Sequence, residues 1–219
     1  MTQLCLHPDT PSSGVANEIA GPLSRNEQSL KKVVDLSALA AGDLVLTSAL
    51  SPNLIQRSIR GVQEKGGYQV QDAQWEHAAM YIGRGVLCEA TRKGVQPEML
   101  SHYVGSHILR VRRDNTLSDQ TRYELAIQAL SLQGYSYGFW EIIRLIKAAH
   151  IGFNNSANSN GRTPGYPSRA VICSELYADS YAKITKKIIG NIAGGEVTPA
   201  SLSTERLLTD VQLRWLDVP

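Results

Sequence analysis

The segment that most constrains the fold is residues 76–90. Here Glu76-His77-Ala78-Ala79-Met80-Tyr81-Ile82 and Val86-Leu87-Cys88-Glu89-Ala90 flank Gly83-Arg84-Gly85. Two short, largely apolar runs around a glycine-rich turn specify an antiparallel hairpin, and a hairpin decides which side chains share a face. With a three-residue loop over residues 83–85, Ile82 faces Val86, Tyr81 faces Leu87 and Ala79 faces Glu89. His77, Ala79 and Tyr81 then share a face with Leu87 and Glu89. His77 and Glu89 become diagonal neighbours within reach of a side-chain hydrogen bond. A two-residue loop would instead send Glu89 to the opposite face. Cys88 and Glu76 point away from His77's face, which makes Cys88 a core filler and Glu89 the better partner for the imidazole.

The second constraint lies far downstream, where the apolar run Ala170-Val171-Ile172 leads into Cys173-Ser174-Glu175-Leu176-Tyr177-Ala178-Asp179. Leu176, Tyr177, Ser180, Tyr181 and Ile184 recur at helical spacing, so the cysteine belongs to a first helical turn. Unpaired N–H groups and the helix dipole favour negative charge there, which biases a thiol toward thiolate. Ser168 or Ser174 caps this helix, depending on where it starts. A cysteine in such a run is by itself more often a small buried hydrophobe than a nucleophile. A lone histidine or strand carboxylate is likewise more often structural. Together the three make a known chemistry. A carboxylate that holds one imidazole nitrogen fixes the tautomer and supports the cation, and the other nitrogen can take a proton from a thiol. The candidate group is Cys173 as nucleophile, His77 as base and Glu89 as the orienting residue.

The rest of the chain reads as an α+β domain around these pieces. At 219 residues and 42% hydrophobic content it can bury one sizeable core. A net charge of +2, with no Lys/Arg block longer than two, argues against a nucleic-acid partner. Cys5, Cys88 and Cys173 lack CxxC spacing, so neither a disulfide framework nor a zinc ribbon is expected. No apolar run is long enough to span a membrane. The first 14 residues carry no basic stretch followed by an apolar one, so export is expected by a route other than Sec.

Residues 1–35, rich in Pro, Ser, Gly and Asn, are expected to form a loosely packed arm, with the domain over 36–219. Within it, Leu44-Val45-Leu46-Thr47 reads as a buried strand. Ser51-Pro52 opens a helix that Gly61 stops, and residues 94–97 read as a turn. A strand is expected over 108–112, with His102 and His107 in the loop before it. An amphipathic helix is expected over 118–132, and a second helix, apolar around most of its circumference, over 137–151. Residues 153–169 form a long polar loop placed to cover the cysteine. A helical turn near 196–202 and a closing strand over 211–216 complete the chain.

Taken in order, several short motifs resemble one family. They are Gly42-Asp43-Leu44, His77 within His-Ala-Ala-Met-Tyr-Ile-Gly, Glu89, Gly134-Tyr135-Ser136-Tyr137, Cys173-Ser174-Glu175-Leu176 and Thr198-Pro199-Ala200-Ser201-Leu202. The pattern resembles the circularly permuted NlpC-type papain-like cysteine peptidases and amidases, in particular the YiiX-like proteins, with the histidine preceding the cysteine. The resemblance covers about residues 41–202. It implies a permuted papain-like fold, in which an antiparallel sheet packs against the helix carrying Cys173. It also implies amide cleavage through an acyl-enzyme, with peptidoglycan peptides as substrate and no metal or organic cofactor. A weaker similarity is to type VI secretion effectors of the TseH kind. That would imply delivery to the periplasm of a target cell, with an immunity protein and a secretion-apparatus carrier as partners. Two other readings stay open. One is a lipid acyl hydrolase or acyltransferase on the same triad, which the apolar helix over 137–151 and membrane contact would suit. The other is a non-catalytic binding domain of the same fold.

Overall fold

The structure is a computed structural model that describes residues 9, 11–16, 22–137, 170–190 and 197–219. Its centre is strand β3 (Leu44–Ala49), all six residues of which are buried. Such a run belongs in the middle of a sheet covered on both faces. β3 pairs antiparallel with β4 (His77–Gly83) on one side and β7 (His107–Arg113) on the other. With β5 (Val86–Thr91), β6 (Gly94–Met99) and β10 (Thr209–Val211) they form a six-stranded sheet of order β10-β7-β3-β4-β5-β6.

Alternation along these strands divides the core into two layers. Leu44, Leu46, Ala78, Met80, Cys88 and Ala90 pack under α4 (Asp119–Leu130) and α5 (Cys173–Thr185), against Leu125, Ala129, Leu176 and Tyr181. The other face carries Val45, Ala79, Tyr81, Leu87, Leu109 and Val111, which meet Val34, Leu100, Val104, Leu213 and Trp215. This α+β architecture matches the expected fold class, and α4 lies within the helix expected over 118–132, with Ser118 as its cap accepting from Thr121 N at 3.2 Å.

Several expectations need correction. The described part of residues 1–35 is not loosely packed. β1 (Gly14–Val15), β2 (Lys32–Val34) and β11 (Trp215–Asp217) form a three-stranded sheet of order β1-β11-β2. A short helix, α1 (Arg25–Leu30), leads into it, held by a Ser24–Glu27 capping box. Val34 and Trp215 are buried because this small sheet covers the second face of the large one. The closing strand expected over 211–216 is split between β10 and β11, which belong to different sheets.

Helix α2 (Leu54–Lys65) is capped by Asn53 and runs through Gly61. An interior glycine costs about 1 kcal/mol, less than the ~1.5–3 kcal/mol recovered by burying a side chain such as Val62 beyond it. Residues 94–97 are not a turn but part of β6, paired with β5 from Thr91–Gly94 to Val86–Met99. Pro97 is tolerated because β6 lies at the sheet edge. Of the helix expected over 137–151, only Tyr137 is described, in the two-residue strand β8 (Ser136–Tyr137), which pairs parallel with β9 (Ala170–Val171). The remainder of that helix and the loop over 153–169 lie outside the described residues.

The hairpin has the expected register for an unexpected reason. Gly83 faces Val86, so the loop is the two-residue turn Arg84-Gly85, with φ of 51° and 76°. Positive φ at both central residues matches the twist of the flanking strands. A regular two-residue hairpin would have put Glu89 on the wrong face. A bulge at Ile82 takes up one residue between Tyr81 and Gly83, so Tyr81 faces Leu87 and Ala79 faces Glu89.

Candidate active site

His77 opens β4, and Glu89 sits on β5 opposite Ala79, one alternation along the same face. Their side chains meet: His77 Nε2 and Glu89 Oε2 are 2.9 Å apart. Glu89 is 2% exposed, so its charge is held almost entirely by protein groups. A second donor reaches the same oxygen. Tyr103, which follows the single turn Leu100–His102, donates its hydroxyl to Glu89 Oε2. Its ring stacks on the imidazole, with centroids 6.1 Å apart and planes inclined by 22°.

Cys173 is the first residue of α5, with Ile172 at the N-cap and no side-chain cap. Ser174 lies inside the helix and does not cap it. Ser174 Oγ donates to Val197 O at 2.8 Å, and residue 168 lies outside the described residues. Glu175 instead reaches back to accept from Ile172 N at 3.4 Å. The helix is aimed by two buried tyrosines on its inner face. Tyr177 donates to Gly42 O at 3.2 Å, and Tyr181 donates to Asp114 Oδ2 at 2.5 Å. Gly42 is required there: its φ is +85°, and an added Cβ would come within 2.9 Å of Arg122 O. Asp43 beside it is structural. Its carboxylate takes both Arg113 Nε and Nη2 at 2.6 Å, tying the start of β3 to the end of β7.

The three sequence-derived candidates are thus one connected group. Burial works against a charged His77, but hydrogen bonding and negative charge from Cys173, and then from Glu89, outweigh it and raise its pKa well above 6.5. Burial pushes Glu89 upward, but His77 and then Tyr103 more than offset this and leave it below 4.5. Because Nε2 is turned to Glu89, Nδ1 is the nitrogen left for Cys173. Cys88 takes no part: it lies on the other face, and burial drives its thiol up to about 11. Glu76 is committed elsewhere, paired with Arg60 at 2.9 Å and accepting from Ala49 N at 2.6 Å.

The sequence reading missed Tyr103 and the frame around Gln63. The Gln63 amide donates to Ala73 O and Trp75 O, both at 2.8 Å, and accepts from Ala200 N at 2.9 Å. It thereby joins α2, the short helix α3 (Val70–Ala73) that leads into β4, and α6 (Pro199–Thr204), the helix that Thr198 caps. A small cleft of about 40 Å³ opens beside Cys173 within this frame. Its apolar walls are Ile59, Val62, Ile172, Val197 and Pro199, with Gln63, Glu76, Ser174 and Thr198 as polar members. His107, expected in a loop, is the first residue of β7. Burial and then the positive charge of His77 lower it to about 4.

The geometry defines an α+β protein with a Cys–His–Glu group between a helix N-terminus and a sheet. No protein-family model matches the sequence, and no curated protein matches it. Among solved structures, the fold is similar to that of the metalloprotein yiiX from Escherichia coli O157:H7. The superposition has a TM-score of 0.55 at 17% identity and covers 78% of this chain and 96% of that one. At this identity the likeness is one of fold. It agrees with the YiiX-like part of the sequence resemblance and does not extend to NlpC-type enzymes or secretion effectors. Among the described residues, no three His, Cys, Asp or Glu side chains gather closely enough to hold a metal ion.

Proposed function

We propose that this protein is a cysteine hydrolase that cleaves an amide bond, with peptidoglycan peptides as substrate. The observation that carries the reading is the 2.9 Å contact between His77 Nε2 and Glu89, which leaves Nδ1 to serve Cys173 at the start of α5. Cys173 gives its proton to His77 Nδ1, and the sulfur attacks the scissile carbonyl to form a C–S bond. Uncapped N–H groups in the first turn of α5 face the developing oxyanion, a type of contact worth ~2.7–4 kcal/mol per donor in a studied protease. The imidazolium returns its proton to the leaving amine as the C–N bond breaks. His77 then deprotonates the water that releases the acyl group and restores the thiol.

Digestion of purified peptidoglycan, with products identified by mass, tests this. Wild-type protein should release new peptide termini, and Cys173→Ala should release none. Delivery into the periplasm of another cell belongs to the same proposal. Protein directed to the periplasm of a host by a Sec leader should lyse it, and the same chain kept in the cytoplasm should not. A second reading, a lipid acyl hydrolase, is favoured by the apolar walls of the cleft beside Cys173. Fatty-acid release from phospholipid vesicles, with no change in peptidoglycan, would select it.

A further inference from the structure

Tyr103 is 9% exposed and contacts both members of the hairpin pair. We propose that Tyr103 is a positioning residue for this group, whose hydroxyl keeps Glu89 Oε2 an ionised acceptor for His77 Nε2. The inference deepens the hydrolase reading and rests on it for its kinetic arm alone.

Two donors converge on one oxygen: His77 Nε2 at 2.9 Å and the Tyr103 hydroxyl. A buried carboxylate with a single imidazole partner can lower its cost by taking up a proton. A hydroxyl donating to that same oxygen reduces its proton affinity, so the shared proton stays on Nε2. The ring is thereby held with Nδ1 toward the sulfur, which is the tautomer the chemistry needs.

Tyr103 is suited to be a permanent donor. Burial and then the charge of Glu89 raise its own pKa, so the hydroxyl keeps its proton across the working range. Its ring is fixed on the far side by edge contacts to His107 at 5.0 Å and His102 at 5.8 Å, and its N–H donates to Leu100 O at 3.0 Å. The ionisable groups around the Glu89–Tyr103 pair are His77 from β4, Cys88 from β5, Glu98 from β6, His102 from the β6–β7 connection, His107 from β7 and Cys173 from α5. His107 stays neutral above about pH 4, so it puts no second cation beside His77. A phenylalanine would fill the same space and stack the same way. The hydroxyl is needed only for Glu89.

Tyr103→Phe tests this. In Cys173→Ala protein, the low-pH inflection of the His77 ring ¹⁵N signals reports ionisation of Glu89, and Glu89→Gln should abolish it, which assigns it. Tyr103→Phe should move that inflection up by about one pH unit, the scale of one hydrogen bond to a charged group. 3-Fluorotyrosine at position 103, a stronger donor, should move it down. An inflection unmoved by both changes overturns the proposal. With a turned-over substrate, the acid limb of kcat/KM should shift upward in Tyr103→Phe while KM stays constant. A uniform loss at every pH would make Tyr103 structural and also overturn it. If wild-type protein turns over nothing, the hydrolase reading fails, and the ¹⁵N titration still decides the role of Tyr103.

Discussion

Replacing Glu89 by Gln separates charge from shape at this site. The glutamine keeps the volume and can still accept from Tyr103, but it offers His77 no negative charge. The interaction removed is a charge-assisted hydrogen bond of 2.9 Å between a carboxylate 3% exposed and an imidazole 18% exposed. Such bonds contribute ~1.5–3 kcal/mol. At ~1.36 kcal/mol per tenfold, the imidazolium form becomes about 10- to 150-fold less favoured. The assay needs no substrate: alkylation by iodoacetamide at about pH 6, read by peptide mass mapping. Cys88 is the internal reference, because it is buried on the opposite face with its thiol pushed up to about 11. In wild-type protein Cys173 should react much faster than Cys88, and Glu89→Gln should lower that ratio by about tenfold or more. Equal ratios in the two proteins from about pH 5 to pH 8 would refute the claim that Glu89 supports the His77 cation.

Stability should follow the same pair. His77 is raised above 6.5, so its contribution is full below that pH and is lost as pH climbs through the folded value. Glu89 is lowered below 4.5, so its contribution is present above that pH and is lost as pH falls through the folded value. Urea denaturation of Glu89→Gln should therefore show its largest deficit between those limits and converge with wild type in acid; a deficit independent of pH would refute the pairing. Deleting Ile82 should leave Cys173 alkylation intact, because the bulge residue goes and Gly83–Val86, Tyr81–Leu87 and Ala79–Glu89 remain paired. Loss of Cys173 reactivity in that folded variant would overturn the register argument. Removing residues 1–35 should expose Trp215 and the second face of the sheet. A truncated protein with an unchanged Trp fluorescence maximum and an unchanged Tm would return that segment to the status of an arm.

The sequence alone was enough wherever the determining physics is local. Strand alternation put His77 and Glu89 on one face, and the period of Leu176, Tyr177 and Tyr181 started a helix at Cys173, because side-chain direction repeats every two or 3.6 residues. Ser118 marked the start of α4 because a capping hydroxyl acts within one turn. Where the answer depended on what lies across the sheet, the sequence was silent. That β6 tolerates Pro97 depends on its being an edge, which is a property of strand order. That the described part of residues 1–35 closes a core face depends on Val34 meeting Trp215 from the far end of the chain. The Ile82 bulge was hidden because a three-residue loop and a two-residue turn with one bulged residue bring Glu89 to the same place. Tyr103 carried no local signal: its hydroxyl meets Glu89 only because a single turn folds the β6–β7 connection back over the hairpin. Local periodicity chose the chemistry on each element, and the packing of distant elements brought it together.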